Sequence, residues 1–174
     1  MKNAIKILSL LTLVLFAACK KDDDKTTSED GIVGKWKLTE MTCDDGTTST
    51  EVDGTSYDGT FTATGKDYTQ TVEFRSDGTY TSSGGYTAVV TTNFFGQTST
   101  AEATISDFLQ NGTYEVNGDM LTGTASTGET GTYDILTLSA STLKFKVVLN
   151  RVQDLNGQGT STTTGTYYFT MDRQ

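Results

Sequence analysis

Two short stretches constrain this chain more than any other feature. In the first, Tyr68, Gln70, Val72 and Phe74 alternate with Thr69, Thr71, Glu73 and Arg75; Ser76-Asp77-Gly78 follows, and Thr79-Tyr80-Thr81 resumes the pattern. In the second, Thr113-Tyr114-Glu115-Val116 and Met120-Leu121-Thr122-Gly123-Thr124 flank Asn117-Gly118-Asp119. Period-two alternation places one set of side chains on one face of a strand. Asp-Gly or Asn-Gly between two such runs makes a hairpin, because glycine accepts a positive φ without a Cβ clash.

The remaining chain repeats this grammar. Gly34 to Met41 alternates, with Trp36 and Leu38 on one face and Lys35, Lys37 and Thr39 on the other. Cys43 to Gly59 is polar and reads as a long loop, with a short strand at Phe61 to Thr64. Gly84-Gly85 is a break or bulge, and Tyr86, Ala88 and Val90 form the next face. Asn93 to Thr100 reads as irregular; Ala103 to Gln110 fits either a strand or a helical turn. Tyr133 to Leu138 precedes the best apolar face in the chain, Leu143, Phe145, Val147 and Leu149, with Lys144 and Lys146 outward. A polar hairpin at Asp154 to Thr164 closes on Thr166 to Met171. The expectation is an all-β domain of about eight or nine strands in an antiparallel up-and-down meander, as a sandwich or a small barrel. A barrel leaves no open edge, which suits a long meander containing no proline. The strands are too short and too polar outside for an outer-membrane barrel.

The first thirty residues have a different character. Lys2 and Lys6 precede an apolar run from Ile7 to Phe16, and the small residues Ala17 and Ala18 follow. This is the pattern of a secretory signal over residues 1–18, and the run is short of the roughly 20 residues that span a bilayer. Cys19 directly after Leu15-Phe16-Ala17-Ala18 resembles a bacterial lipobox, which implies acylation at Cys19 and membrane anchoring without spanning. Residues 19–30 then read as a lipidated cysteine and a solvated, disordered acidic tether. Their start, with Asp22, Asp23 and Asp24, resembles the export tags of surface lipoproteins in Bacteroidota-type bacteria. That resemblance implies display on the outer face of the outer membrane; a periplasm-facing anchor is the alternative.

Composition narrows the chemistry. The 174-residue chain has a formal net charge of -9, and no basic patch is available to meet phosphates, so nucleic acid is not an expected partner. There are no histidines, which removes His-based triads, His general bases and His metal ligands. Of the two cysteines the lipobox claims Cys19, leaving Cys43 unpaired and half-buried by expectation. No phosphate loop, nucleophile elbow or metal cluster is written in the chain, so neither an enzyme nor a cofactor is expected.

Several side chains are candidates for a site. Tyr80, Tyr86, Tyr114, Tyr133, Phe145 and Phe169 can line a cavity, although aromatics at alternate strand positions are more often simply core. Phe94-Phe95 can act as a lid or contact patch, or fold back on the domain. Asp44, Asp45, Asp53 and Asp58 form a carboxylate-rich stretch able to hold Ca²⁺ loosely. Asp154-x-Asn156-x-Gln158 has calcium-loop spacing, but Gly165 stands where the bidentate Glu belongs.

Taken together, Gly34-Lys35-Trp36, Phe74-Arg75-Ser76-Asp77-Gly78-Thr79-Tyr80, Gly112 to Gly118, Leu136-Thr137-Leu138 and Thr142-Leu143-Lys144-Phe145 resemble the lipocalin-like domains of bacterial lipoproteins. The resemblance covers the barrel domain, residues 31–174. It implies that Trp36 plugs the closed end with Arg173 packed over it. The second lipocalin motif, Thr-Asp-Tyr, is absent. Two functions follow as expectations: a membrane-anchored module binding a small apolar or amphipathic ligand, or a packed barrel whose loops contact an envelope protein or a glycan. A cavity is the feature that separates them.

Overall fold

A computed structural model describes residues 29–106 and 108–174. Cys19, Asp22, Asp23 and Asp24 lie outside the described residues. The described chain forms a short helix, α1 (Glu29–Ile32), and eleven strands: β1 (Gly34–Val52), β2 (Thr55–Lys66), β3 (Thr71–Phe74), β4 (Thr79–Ser83), β5 (Gly85–Phe94), β6 (Gln97–Ser106), β7 (Gly112–Asn117), β8 (Met120–Ala125), β9 (Thr130–Leu138), β10 (Thr142–Asp154) and β11 (Gly159–Arg173).

The register reduces these to eight long rungs. Gly34 to Lys37 of β1 pair with β3, and Thr42 to Val52 pair with β2, so β2 and β3 run end to end along one edge of β1. Strands β4 and β5 follow them in the same way, Phe74 opposite Tyr80 and Lys66 opposite Thr87. Strands β6 and β7 in turn follow β5 and β4. Each of these three two-strand rungs is interrupted midway. The break between β4 and β5 is Gly84, at φ +86, where a Cβ would collide with the carbonyl of Thr69. Glycine is required at such a bulge. Strands β8 to β11 continue as simple antiparallel neighbours. The ring closes where β11 pairs with β1, from Trp36 opposite Arg173 to Val52 opposite Gly159. The result is an eight-rung antiparallel up-and-down barrel carrying the extra length of β2, β5 and β6, in line with the expected fold class.

Three local expectations are corrected. Cys43 to Gly59 is the outer half of β1 and the start of β2, joined at Asp53-Gly54, not a loop. Its alternation is invisible to a hydrophobic pattern because hydroxyl side chains occupy both faces. Asn93 to Thr100 is a tight hairpin turning at Phe95-Gly96, and β6 extends through Ser106. Cys43 is fully buried instead of half-buried.

The two ends differ. At the closed end, Trp36, Leu38, Val72, Phe74, Leu143 and Met171 form a packed core. Burying a large apolar side chain fully contributes about 1.5–3 kcal/mol. At the other end β8 and β9 are only 6 and 9 residues long. Among the described residues, β6 pairs only with β5, and β10 beyond Lys146 pairs only with β11. The expected edge-free ring is therefore closed at one end and splayed at the other, because two rungs are too short to fill the gap.

Candidate functional site

The splayed end holds a cavity of about 500 Å³. Register decides what faces it. Along β11, Thr163, Gly165, Tyr167 and Phe169 share one face; their partners on β10 are Arg151, Leu149, Val147 and Phe145. Along β5 and β2, Ala88, Val90 and Ala63 turn the same way, and β6 adds Ala103 and Ile105. Small alanines here leave the space that large residues fill at the closed end.

The floor is aromatic. Phe108 lies in the interruption between β6 and β7, 4.6 Å from the ring of Phe169 and 6.1 Å from that of Tyr86. Phe169 stacks on Phe145 at 5.2 Å, and Tyr133 meets Phe145 edge-on at 5.5 Å. Such contacts contribute about 0.5–1.5 kcal/mol each beyond burial. On the far side of Phe108, Tyr80, Tyr133 and Leu109 line a second hollow of about 360 Å³.

The six aromatic candidates thus divide. Tyr86 and Phe169 line the main cavity, while Tyr80 and Tyr133 line the second hollow. Tyr114 and Phe145 are buried in the core; the Tyr114 hydroxyl donates to the Arg75 carbonyl at 2.8 Å. The cavity walls carry little charge. Burial, reinforced by Tyr167 and Tyr68, pushes the Tyr86 hydroxyl up to about 12, and burial also raises Tyr167. Both are neutral hydrogen-bonding groups at physiological pH.

At the closed end the Arg173 guanidinium lies 4.2 Å from the Trp36 ring centroid. It donates to the carbonyls of Gly31, Val33 and Ala140 at 2.7, 2.7 and 2.8 Å. Trp36 Nε1 donates to Ile32 at 2.8 Å, which ties α1 across the barrel bottom.

The acidic candidates do not gather. Asp44 and Asp45 lie in β1, Asp53 in the turn and Asp58 in β2. Asp45 accepts from the Thr166 amide at 2.9 Å and its hydroxyl at 2.8 Å, and these bonds hold its carboxyl below the usual range. Asp58 accepts from Ser49 and Ser56. Asp154 accepts from the Gly157 amide at 2.6 Å and so caps its own turn. Among the described residues no group of three or more metal-type side chains forms. Phe94 packs over Gly59, whereas Phe95 is 75% exposed at the hairpin tip, edge-on to Tyr57 at 6.0 Å.

Sequence reasoning did not assign Arg151, Leu149, Phe108 or the alanine wall to a cavity. Arg151 was legible in principle, because it continues the alternation of Leu143, Phe145, Val147 and Leu149. Phe108 was not, since its placement depends on a break in a strand.

An antiparallel barrel of eight rungs, packed at one end and hollow at the other, is the architecture of small-ligand-binding barrels. The chain matches the family model of the lipocalin-like domain over residues 32–145, well over half its length, and belongs to that family. No curated protein and no solved structure matches it. The matched stretch ends inside β10, so β11, which closes the ring, follows it.

Proposed function

We propose that this protein is a lipid-anchored binding module that holds one small apolar or amphipathic molecule in the cavity of its splayed end, without chemical conversion. The observation that carries this reading is the cavity itself. Its volume of about 500 Å³ falls within the roughly 300–1,000 Å³ of small-molecule sites, and apolar walls with a few polar groups are their usual lining. The address in residues 1–30 supports anchoring through Cys19 at the outer membrane, with Asp22, Asp23 and Asp24 directing display on the cell surface.

The test is native mass spectrometry of the protein purified gently from its own host, beside Ala88→Trp, which fills the cavity from β5. A mass excess lost on denaturation and absent from the variant is expected. A bare wild-type mass, with no thermal shift across a lipid panel, would overturn the reading. Protease treatment of intact cells tests the address. Replacing Asp22, Asp23 and Asp24 by Ala should protect the domain from protease; unchanged cleavage would remove the export role.

A second reading, contact with an envelope protein or glycan, has one observation in its favour. Phe95 is a bulky residue at φ +51 and is 75% exposed, which costs backbone strain and apolar exposure together. Loss of whole-cell binding in Phe95→Asn, with cavity occupancy unchanged, would favour this reading.

A further inference from the structure

We infer that the cavity selects an amphiphile with an anionic head, held by Arg151. This rests on the binding function proposed above and names the ligand class. Arg151 is the only charged side chain among the described cavity-lining residues. It pairs with Thr163 and shares the concave face with Leu143, Phe145 and Leu149. The other cations of β10 behave differently. Lys144 and Lys146 occupy the opposite face, and Lys146 meets Asp134 at 3.6 Å. The Arg151 side chain makes no ion pair and no hydrogen bond among the described residues.

The Arg151 side chain is exposed at the mouth of the apolar hollow, with no carboxylate paired to it among the described residues. Its fork matches a carboxylate or phosphate in two parallel hydrogen bonds. Thr163 opposite and Asn150 beside it add neutral polar groups at the same rim. Below them the lining turns apolar, through Leu149, Val90 and Ala88 to Phe169. The site is thus polar and cationic at one end and apolar at the other, the polarity of a chain with a charged head. The net charge of -9 does not oppose this at the rim, since exposed charges more than about 8 Å away are largely screened at physiological salt.

The test uses the full chain carrying Cys19→Ser, so that no acyl group of its own competes for the cavity. Sodium dodecanoate and dodecan-1-ol are titrated by calorimetry into this protein and into its Arg151→Gln and Ala88→Trp forms. A charge-assisted hydrogen bond predicts that the acid binds about tenfold or more tighter than the alcohol. In Arg151→Gln the acid alone should weaken, until the two match. Ala88→Trp should weaken both. Equal affinities in the parent, or an undiminished preference in Arg151→Gln, would overturn the anionic assignment and leave the cavity reading standing. No binding of either probe to the parent, with no mass excess in protein from the native host, would overturn both.

Discussion

Arg173, the penultimate residue, lies over Trp36, the third residue of β1, with 4.2 Å between guanidinium carbon and ring centroid. The pair joins the first rung of the barrel to the last. Trp36 and Arg173 are also register partners across the β1–β11 seam, so backbone pairing and side-chain contact close the ring at one point. The three carbonyls that Arg173 satisfies belong to the chain before β1 and to the β9–β10 turn.

Arg173→Ala removes three hydrogen bonds and a cation–π contact together. Unfolding in urea should show a loss of about 2–4 kcal/mol. Arg173→Lys should recover little, because an ammonium cannot reach three divergent carbonyls. Emission of Trp36, the only tryptophan, should shift to the red in the alanine variant. An unchanged midpoint would mean the seam is held by backbone pairing alone.

Gly46 sits in β1 directly opposite Phe61, and a Cβ there would fall on the Phe61 ring. The ring covers the glycine, and its tip lies where a Cβ on Gly165 would also meet it. Gly46→Ala should destabilise by about 1–3 kcal/mol through overpacking. The double variant Gly46→Ala with Phe61→Leu should cost less than the sum of the single changes. Simple additivity in thermal or urea unfolding would refute the contact.

Tyr86 gives the barrel an alkaline limit. Its hydroxyl ordinarily titrates at 10.0 and is raised to about 12 in the folded protein, chiefly by burial. The folded state therefore keeps a proton that the unfolded state releases. The stabilisation is complete below pH 10 and is lost as pH rises from about 10 through about 12. The fall from this one group is about 2–3 kcal/mol. Tyr68, Tyr80, Tyr133 and Tyr167 are shifted in the same direction. Urea midpoints at pH 9 and pH 11.5 should differ less in Tyr86→Phe than in the parent.

Cys43 is fully buried, and burial pushes its thiol up. A thiol that is both hidden and protonated reacts slowly. Labelling by an aromatic disulfide should therefore follow global unfolding, with a rate rising in parallel with denaturant. Fast labelling under native conditions would show that the splayed end opens locally between β1 and β11.

Much of this architecture was legible in the sequence. While the plug at Trp36 followed only from the family resemblance, the Asp77-Gly78 and Asn117-Gly118 turns and the alternation from Leu143 to Leu149 define an all-β meander. These are local signals, since side-chain period and turn chemistry act over a few residues. The Asp53-Gly54 hairpin escaped because its flanking strands are written in threonine, serine and glycine. Such residues satisfy a strand's backbone as well as valine does but leave no hydrophobic period to read.

What the sequence by itself determined is therefore the antiparallel meander and, for the rungs written with an alternating pattern, which face is apolar. Only the tertiary structure decided how far each rung extends along its neighbour. Strands β8 and β9 stop short while β5, β6, β10 and β11 continue, and this mismatch opens the cavity. It also turns Arg151 from one more alternating residue into the one charged side chain among the described residues that line an apolar hollow. The lengths follow from where hairpins turn relative to a closure made between residues more than a hundred positions apart. No local pattern contains that information.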